Sequence, residues 1–374
     1  MKIIIAPGAF KGSLSAGAAA AAIARGLERS GMGAQLTLLP LADGGDGTLD
    51  AFLANGGRRV TVRTVDPLGR PTLADYGLLP DGETAVIEMA LASGLVRLRP
   101  GELNPLVTST VGTGLLLAAA LEAGVRRIII GVGGSATVDG GAGCVQALGV
   151  RLLDAYGVDV PPGGNSLAAI YSIDTSGLSP RWREVEVIIA SDVTNPAVGE
   201  QGAAVVYGPQ KGAGPHEVRV LEGGLRHFFG KVRDQLGIDV LSTPGGGAAG
   251  ALAAGLMAFL GGRIESGVDL ALDFNGFDAH LADADLVITG EGQIDAQTIY
   301  GKGPMGAARR AAARGIPTVA IVGGLNADEA TLHAAGIHAV LPITPRAMGL
   351  DAAMRNAAAL VEQAALRLGY LLRL

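Results

Sequence analysis

Apolar residues come along the chain in short runs, separated by helical periods and glycine-rich turns, which is the alternation of an α/β protein. Residues 2–6 read as a buried strand, 15–29 as an alanine-rich helix with a serine cap, and 35–40 as a second strand. The loop ADGGDGT then precedes a helix to about residue 55. Over 59–89 the period becomes an alternation of apolar and polar residues, broken by the turns DPLG and PDGE, which predicts antiparallel hairpins. A helix over 110–123 leads into IIIGVGGSATVDGGAG at 128–143, the end of a buried parallel strand followed by a polar, glycine-rich loop and a helix over 143–148. A strand at 185–190 ends in SDVTNP, GPQKGAG opens a polar helix through about 236, and PGGGAAG opens an apolar helix over 248–260. The last stretch is an uninterrupted βαβαβα run: strands at 285–289, 318–322 and 339–343, the first running into GEGQID and the second ending in a glycine pair, each followed by a helix. Neither end alone supplies enough strands for an open sheet. Residues 1–62 and 285–374 are therefore expected to share one doubly wound parallel sheet, with 63–284 as an inserted α/β domain carrying a mixed sheet and the active site in the cleft between the two.

Composition narrows the function. With 374 residues, 49% hydrophobic and 17% charged, the chain can fill about two cores and is not disordered. A net charge of −6 without a basic stripe argues against a nucleic-acid partner. The longest uncharged apolar run, 248–260, falls short of the ~20 residues a membrane span needs, and MKIIIAP is too short for a signal peptide. The single cysteine, Cys144, can form no intrachain disulfide, and no Cys/His spacing suggests zinc; the cytoplasm is the expected compartment. The five histidines are scattered without partners, so a general base should be a carboxylate.

Lysine supplies only five of 29 basic residues, yet Lys11, Lys211 and Lys302 all sit in glycine-flanked turns, where an ammonium beside exposed N–H groups suits a nucleotide phosphate. Carboxylates gather in the same kind of loop: Asp43, Asp46, Asp139, Asp192, Glu291 and Asp295. Asp43 and Asp46 could instead cap the next helix, and Asp192 the turn before Pro196. Gly131, Gly133 and Ala136 satisfy G-x-G-x-x-[G/A], with Asp154 about 20 residues on, which keeps an NAD(P)-dependent oxidoreductase open; the insertion that delays the helix argues against it. Thr137 stands where a nucleophile elbow needs glycine, and Ala296 where a Walker A motif needs its first glycine. Together the loops fit phosphoryl transfer from a nucleotide, with a divalent metal, to a small hydroxylated substrate. That chemistry asks for positioning, phosphate neutralisation and a carboxylate that takes the hydroxyl proton.

In order, FKGSLSA, ADGGDGT, GVGGSATVDGGAG, SDVTNP, GPQKGA, TGEGQIDAQT and GKGP resemble the motifs of the bacterial class I glycerate kinases, nearly end to end. The resemblance implies a flavodoxin-like domain interrupted by a second α/β domain, ATP and Mg²⁺ as cofactors, and phosphorylation of D-glycerate, or a related hydroxy acid, usually to 2-phosphoglycerate. A monomer or homodimer is expected. Asp192 is then the expected base and Lys211 the neutraliser of the transferred phosphate. Lys11, Ser13, Asp43, Gly44, Gly45, Asp46 and Asn195 are expected to bind the substrate. Gly133, Gly134, Ser135, Ala136, Thr137, Asp139, Gly290, Gly292 and Lys302 are expected at nucleotide or phosphate, and Glu291 and Asp295 at the metal, directly or through water. The chain departs from the family pattern at Gly8-Ala9, where APDSFK or APDKFK is usual, at Val138, where GGSATND is common, and at Gln293, where GEGRID is common. These lost polar groups bear on substrate affinity and leave a non-catalytic sensor of small acids as a second alternative.

Overall fold

The structure, a computed structural model, describes residues 1–54, 56–295 and 303–374. Its strands, in chain order, are β1 (Lys2–Pro7), β2 (Gln35–Leu38), β3 (Arg58–Val65), β4 (Pro71–Leu78), β5 (Thr84–Glu88), β6 (Arg127–Gly131), β7 (Arg151–Leu153), β8 (Ser172–Asp174), β9 (Glu186–Ala190), β10 (Arg263–Glu265), β11 (Leu286–Asp295), β12 (Thr318–Asn326) and β13 (Ala339–Pro342). The chain divides into two compact units, Met1–Asn55 with Ser266–Leu374, and Gly56–Glu265.

The first unit holds a sheet in the order β13-β12-β11-β1-β2, parallel throughout. Its central strand shows why. Ile3 and Ile5 meet Ile23 and Leu27 of helix Ala16–Arg29 and Val361 and Leu368 of helix Ala357–Leu371. Ile4 and Ala6 point the other way, onto Val268, Leu272 and Phe277. A strand covered on both faces must be apolar at every position, and crossover helices supply both covers. Numbered within the unit, the order is the 2-1-3-4-5 of the flavodoxin-like fold, whose direction of winding reverses between the first and third strands, here β1 and β11, and opens a crevice at their carboxyl ends.

The second unit holds a mixed sheet, β10-β9-β6-β5-β4-β3. β3, β4 and β5 pair antiparallel, as the alternating run predicts, while β5, β6, β9 and β10 run parallel. β7 and β8 form a separate antiparallel ribbon. The apolar helix Ala248–Leu260 is buried almost throughout, and Ala249, Gly250 and Ala251 at its start are left-handed, with φ of 56°, 65° and 67°. Left-handed alanine costs about 1–2 kcal/mol per residue. The turn is pinned by the loop after β6: Gly140 N donates to Gly250 O at 3.0 Å, and a Cβ on Gly250 would stand 2.0 Å from Thr137 O.

Two features differ from the sequence pattern. β11 and β12 continue through GEGQID and the Gly323-Gly324 pair, paired from Gly290 opposite Ile321 to Asp295 opposite Asn326. The glycines that read as loop there permit close strand packing, since a Cβ on Gly290 would lie 2.0 Å from Ile321 O and one on Gly323 2.3 Å from Gly292 O. The units also part ahead of the expected bounds at residues 62 and 284, because β3 pairs along its whole length with β4 and the helices Gly267–Phe274 and Phe277–Leu281 pack beneath β1. No helix among the described residues is long and apolar enough to cross a membrane.

Candidate active site

In the first unit, a cavity of about 520 Å³ opens at the carboxyl ends of β1 and β11, and Lys11, Ser13, Asp43, Asp46, Glu291 and Gln293 contribute to its wall. Gly45 N donates to Asp43 Oδ1 at 3.0 Å, which folds the DGGDG loop on itself, and Lys11 Nζ lies 3.8 Å from the other oxygen. Gly44, buried at a φ of 81°, makes the bend. The next helix, Thr48–Leu53, is capped by Gly47 with no side-chain bond, so neither aspartate is its cap, and Asp46 stays exposed. Ser13 Oγ donates to Phe10 O at 2.9 Å and closes the FKGS turn. Gly290 and Gly292, expected at a phosphate, lie in the paired part of β11. Asp295 ends that strand with its side chain outside the described residues, as is Lys302 entirely.

The donor set bears on a metal. Among the described residues no three His, Cys, Asp or Glu side chains converge on one point, which excludes there an all-protein cage. Magnesium needs none, since it keeps waters and phosphate oxygens beside one or two carboxylates. Glu291, lining the same cavity as Asp43 and Asp46, fits that partial shell.

In the second unit the glycine-rich loop after β6 closes over a buried cation. Lys211, 2% exposed, donates from Nζ to Ser135 Oγ at 2.6 Å and to Thr137 O at 2.7 Å. Burial lowers its pKa to about 7, with the charge of Asp139 opposing the shift. An ammonium has three donors, and these bonds use two. Beside it Thr137 Oγ1 is buried with no hydrogen-bond partner among the described residues. A lysine with a donor to spare and an unmatched hydroxyl in a glycine loop are groups of the kind that bind an anion.

Asp139 has a different place from the one expected. It is fully buried, and its Oδ2 accepts from Thr110 N and Oγ1, both at 2.8 Å, and from Gly143 N at 3.3 Å, while Oδ1 accepts from Gly141 N at 3.1 Å. Burial pushes its carboxyl upward, against the pull of those four donors. It anchors the loop rather than touching a phosphate. Ala136 likewise spends its N–H on Ser93 O at 3.0 Å, whereas Gly133 and Gly134 remain partly or fully exposed. Asp192 stands half-buried just past the carboxyl end of β9. Asn195, expected at the substrate, uses its amide to shape the same loop: Nδ2 donates to Gln201 O at 2.8 Å and Oδ1 accepts from Tyr207 Oη at 2.7 Å.

The dinucleotide reading fails on geometry. The helix after β6 begins only at Ala142, too late to present its N-terminus to a pyrophosphate held at Gly133. Asp154 accepts from Tyr156 N and Val158 N at 2.8 and 3.0 Å, closing a turn after β7, which pairs with β8 and not with β6. Among the family departures, Val138 is fully buried in an apolar cluster with Leu221 and Phe228, while Gly8 and Gln293 line the first unit's cavity. Sequence reasoning missed Thr110, whose hydroxyl also accepts from Cys144 N at 2.9 Å, and Glu88, 5% exposed at the end of β5 opposite Gly131. The hydroxyl-rich run STVGTG and the acid closing the apolar run TAVIE were the available signals.

Comparison with known proteins converges on one family. The family model for the glycerate kinase family matches residues 3–373. The chain is 49% identical to a glycerate kinase of Halalkalibacterium halodurans, over 97% of this chain and 96% of that one. It is 45% identical to the glycerate 2-kinase of Escherichia coli, over 96% and 94%. A crystal structure from Salmonella typhimurium LT2, of a protein assigned as glycerate kinase 2, superimposes with a TM-score of 0.87 at 46% identity, covering 100% of this chain and 98% of that one. Neither the oxidoreductase nor the sensor alternative gains support from these relatives. With its sheet order and motif loops in place, the chain is an enzyme of the glycerate kinase family.

Proposed function

We propose that the protein transfers the γ-phosphoryl group of ATP to D-glycerate, giving 2-phosphoglycerate and ADP. The observation that carries the site assignment is the buried Lys211, held by Ser135 and Thr137 with a donor to spare, beside the unmatched Thr137 hydroxyl. The 2-position rests on the glycerate 2-kinase relative and not on geometry.

In the reaction the substrate's hydroxyl oxygen bonds to the γ-phosphorus, the bond to the bridging oxygen of ADP breaks, and the hydroxyl proton passes to Asp192. A carboxylate at the carboxyl end of a parallel strand is suited to that role. Lys211 neutralises anionic charge on the loop side, and Gly133 and Gly134 are the loop positions open enough for main-chain N–H groups to reach an anion. Asp139 and Thr110 hold that loop in shape before substrate arrives. Magnesium, when bound, would neutralise charge on the phosphates; Glu291 would hold it, with Asp43 or Asp46 through water. ATP as donor makes the cytoplasm the working compartment.

The test is ADP release measured with each component omitted. Turnover is expected only with D-glycerate and a divalent cation both present; release undiminished by a chelator would remove the metal from this scheme, and release independent of glycerate would remove the acceptor.

A further inference from the structure

We infer that the cavity of the first unit seats the nucleoside half of ATP, with the purine on its apolar wall and the ribose at its acidic rim. This rests on the kinase reading above and names the donor side of it. The cavity's volume of about 520 Å³ lies within the range of about 300–1,000 Å³ typical of sites for larger organic ligands and is generous for a three-carbon hydroxy acid. One wall is apolar, built by Ile343 after β13 and by Leu350 and Met354 on helix Leu350–Arg355. Leu350 is 74% exposed, a large apolar side chain left in water at the cavity's edge, and a methionine thioether is a favourable neighbour for an aromatic ring. Asp43, Asp46 and Glu291 line it as well, with Lys11 as the one cation among the described residues that do. Carboxylates on such a rim accept hydrogen bonds from a ribose diol. The location, at the reversal between β1 and β11, is where an open α/β sheet receives its ligand. Glycerate, a small anion with no flat apolar surface, does not match the apolar wall.

The cavity's glycines give a second, independent observation. Gly8 and Gly324 both line it, and neither has a positive φ. A Cβ on Gly8 would meet nothing nearer than Gly290 O at 3.6 Å, and one on Gly324 nothing nearer than Gln293 Cγ at 3.9 Å. The backbone does not demand glycine at either place, and what the missing side chains leave is room. Gly324→Leu and Gly8→Val should therefore fill the cavity at little cost to the fold.

The experiment is calorimetric titration of ADP with Mg²⁺, without glycerate, into the parent and both variants, alongside KM values for ATP and D-glycerate and thermal melting. Both variants are expected to melt near the parent and to bind ADP about tenfold or more weakly, with the glycerate KM changed by less than about threefold. Met354→Ala, which removes part of the apolar wall without crowding anything, is expected to weaken ADP in the same direction and stands in if either glycine variant misfolds. Unchanged ADP binding in the folded variants overturns the assignment, and a rise confined to the glycerate KM would make the cavity the acceptor site. Because ADP binding is read without turnover, a parent that binds ADP in this cavity yet does not phosphorylate glycerate fails the proposed function alone. A parent that phosphorylates glycerate with nucleotide affinity indifferent to all three changes fails this inference alone.

Discussion

Replacing Asp139 by asparagine would test whether the glycine-rich loop is held from beneath by one buried carboxylate. The amide oxygen can take the place of Oδ2 and keep the bonds from Thr110 N, Thr110 Oγ1 and Gly143 N. The amide nitrogen then faces Gly141 N, donor against donor, and that buried N–H is orphaned at a cost of about 1–3 kcal/mol. The three surviving bonds lose charge assistance, roughly another 1 kcal/mol each, partly offset because the carboxylate no longer has to be desolvated. A net loss of about 2–4 kcal/mol follows, or roughly 4–16 °C in Tm for a unit of this size. The kinetics should move as well. Asp139 is the charge that supports protonation of Lys211, so the lysine's pKa should fall below its present value of about 7. If the protonated lysine serves the transferred phosphate, the alkaline limb of kcat/KM shifts to lower pH. Thermal denaturation and a pH series from 5.5 to about 9 would read both effects. Parental stability with an unshifted limb would show that the carboxylate neither anchors the loop nor supports the cation.

Further consequences can be checked with single substitutions. Asp192→Asn should fold normally and lower kcat by roughly 10²–10⁴-fold, read by steady-state ADP release; an unchanged kcat would move the base to another carboxylate. Lys211 has a folded pKa of about 7 against an ordinary 10.5, so between those values the unfolded chain binds more protons. Stability should therefore rise with pH across that window, by up to ~1.4 kcal/mol per unit, relative to Lys211→Met; equal slopes in urea titrations of the two proteins would contradict the burial of the charge. Val138→Asn restores the family's common residue but puts an amide among Leu221 and Phe228. It should cost about 1–3 kcal/mol in urea midpoint and leave the glycerate KM in place, and a lower KM at full stability would mean that position 138 faces the substrate.

The sheet of the first unit was legible because β1 is branched and apolar on both faces, a pattern only a covered parallel strand requires, and because the closing βαβαβα run repeats it. The extension of β11 through GEGQID was not legible. Glycine and acid together resemble a loop, and only the partner strand reveals that Gly290 is small because Ile321 O passes beside it. The loops of the site were legible as loops, while the division of labour among their acids was not. Asp43, Asp139 and Asp154 look alike in sequence, yet Asp154 closes an exposed turn, Asp139 is buried under four donors, and Asp43 lines a cavity. What separates them is burial and the N–H groups arriving from elsewhere, such as Thr110 for Asp139, and these depend on tertiary packing.

The central claim is tested most directly by the proton-coupled ³¹P NMR spectrum of the product formed from ATP, Mg²⁺ and D-glycerate. Phosphate on the 2-oxygen couples to the single proton of C2 and gives a doublet, the result expected here. A triplet, from coupling to the two protons of C3, would contradict phosphorylation at the 2-position, and the absence of any new phosphomonoester signal would contradict the kinase assignment itself.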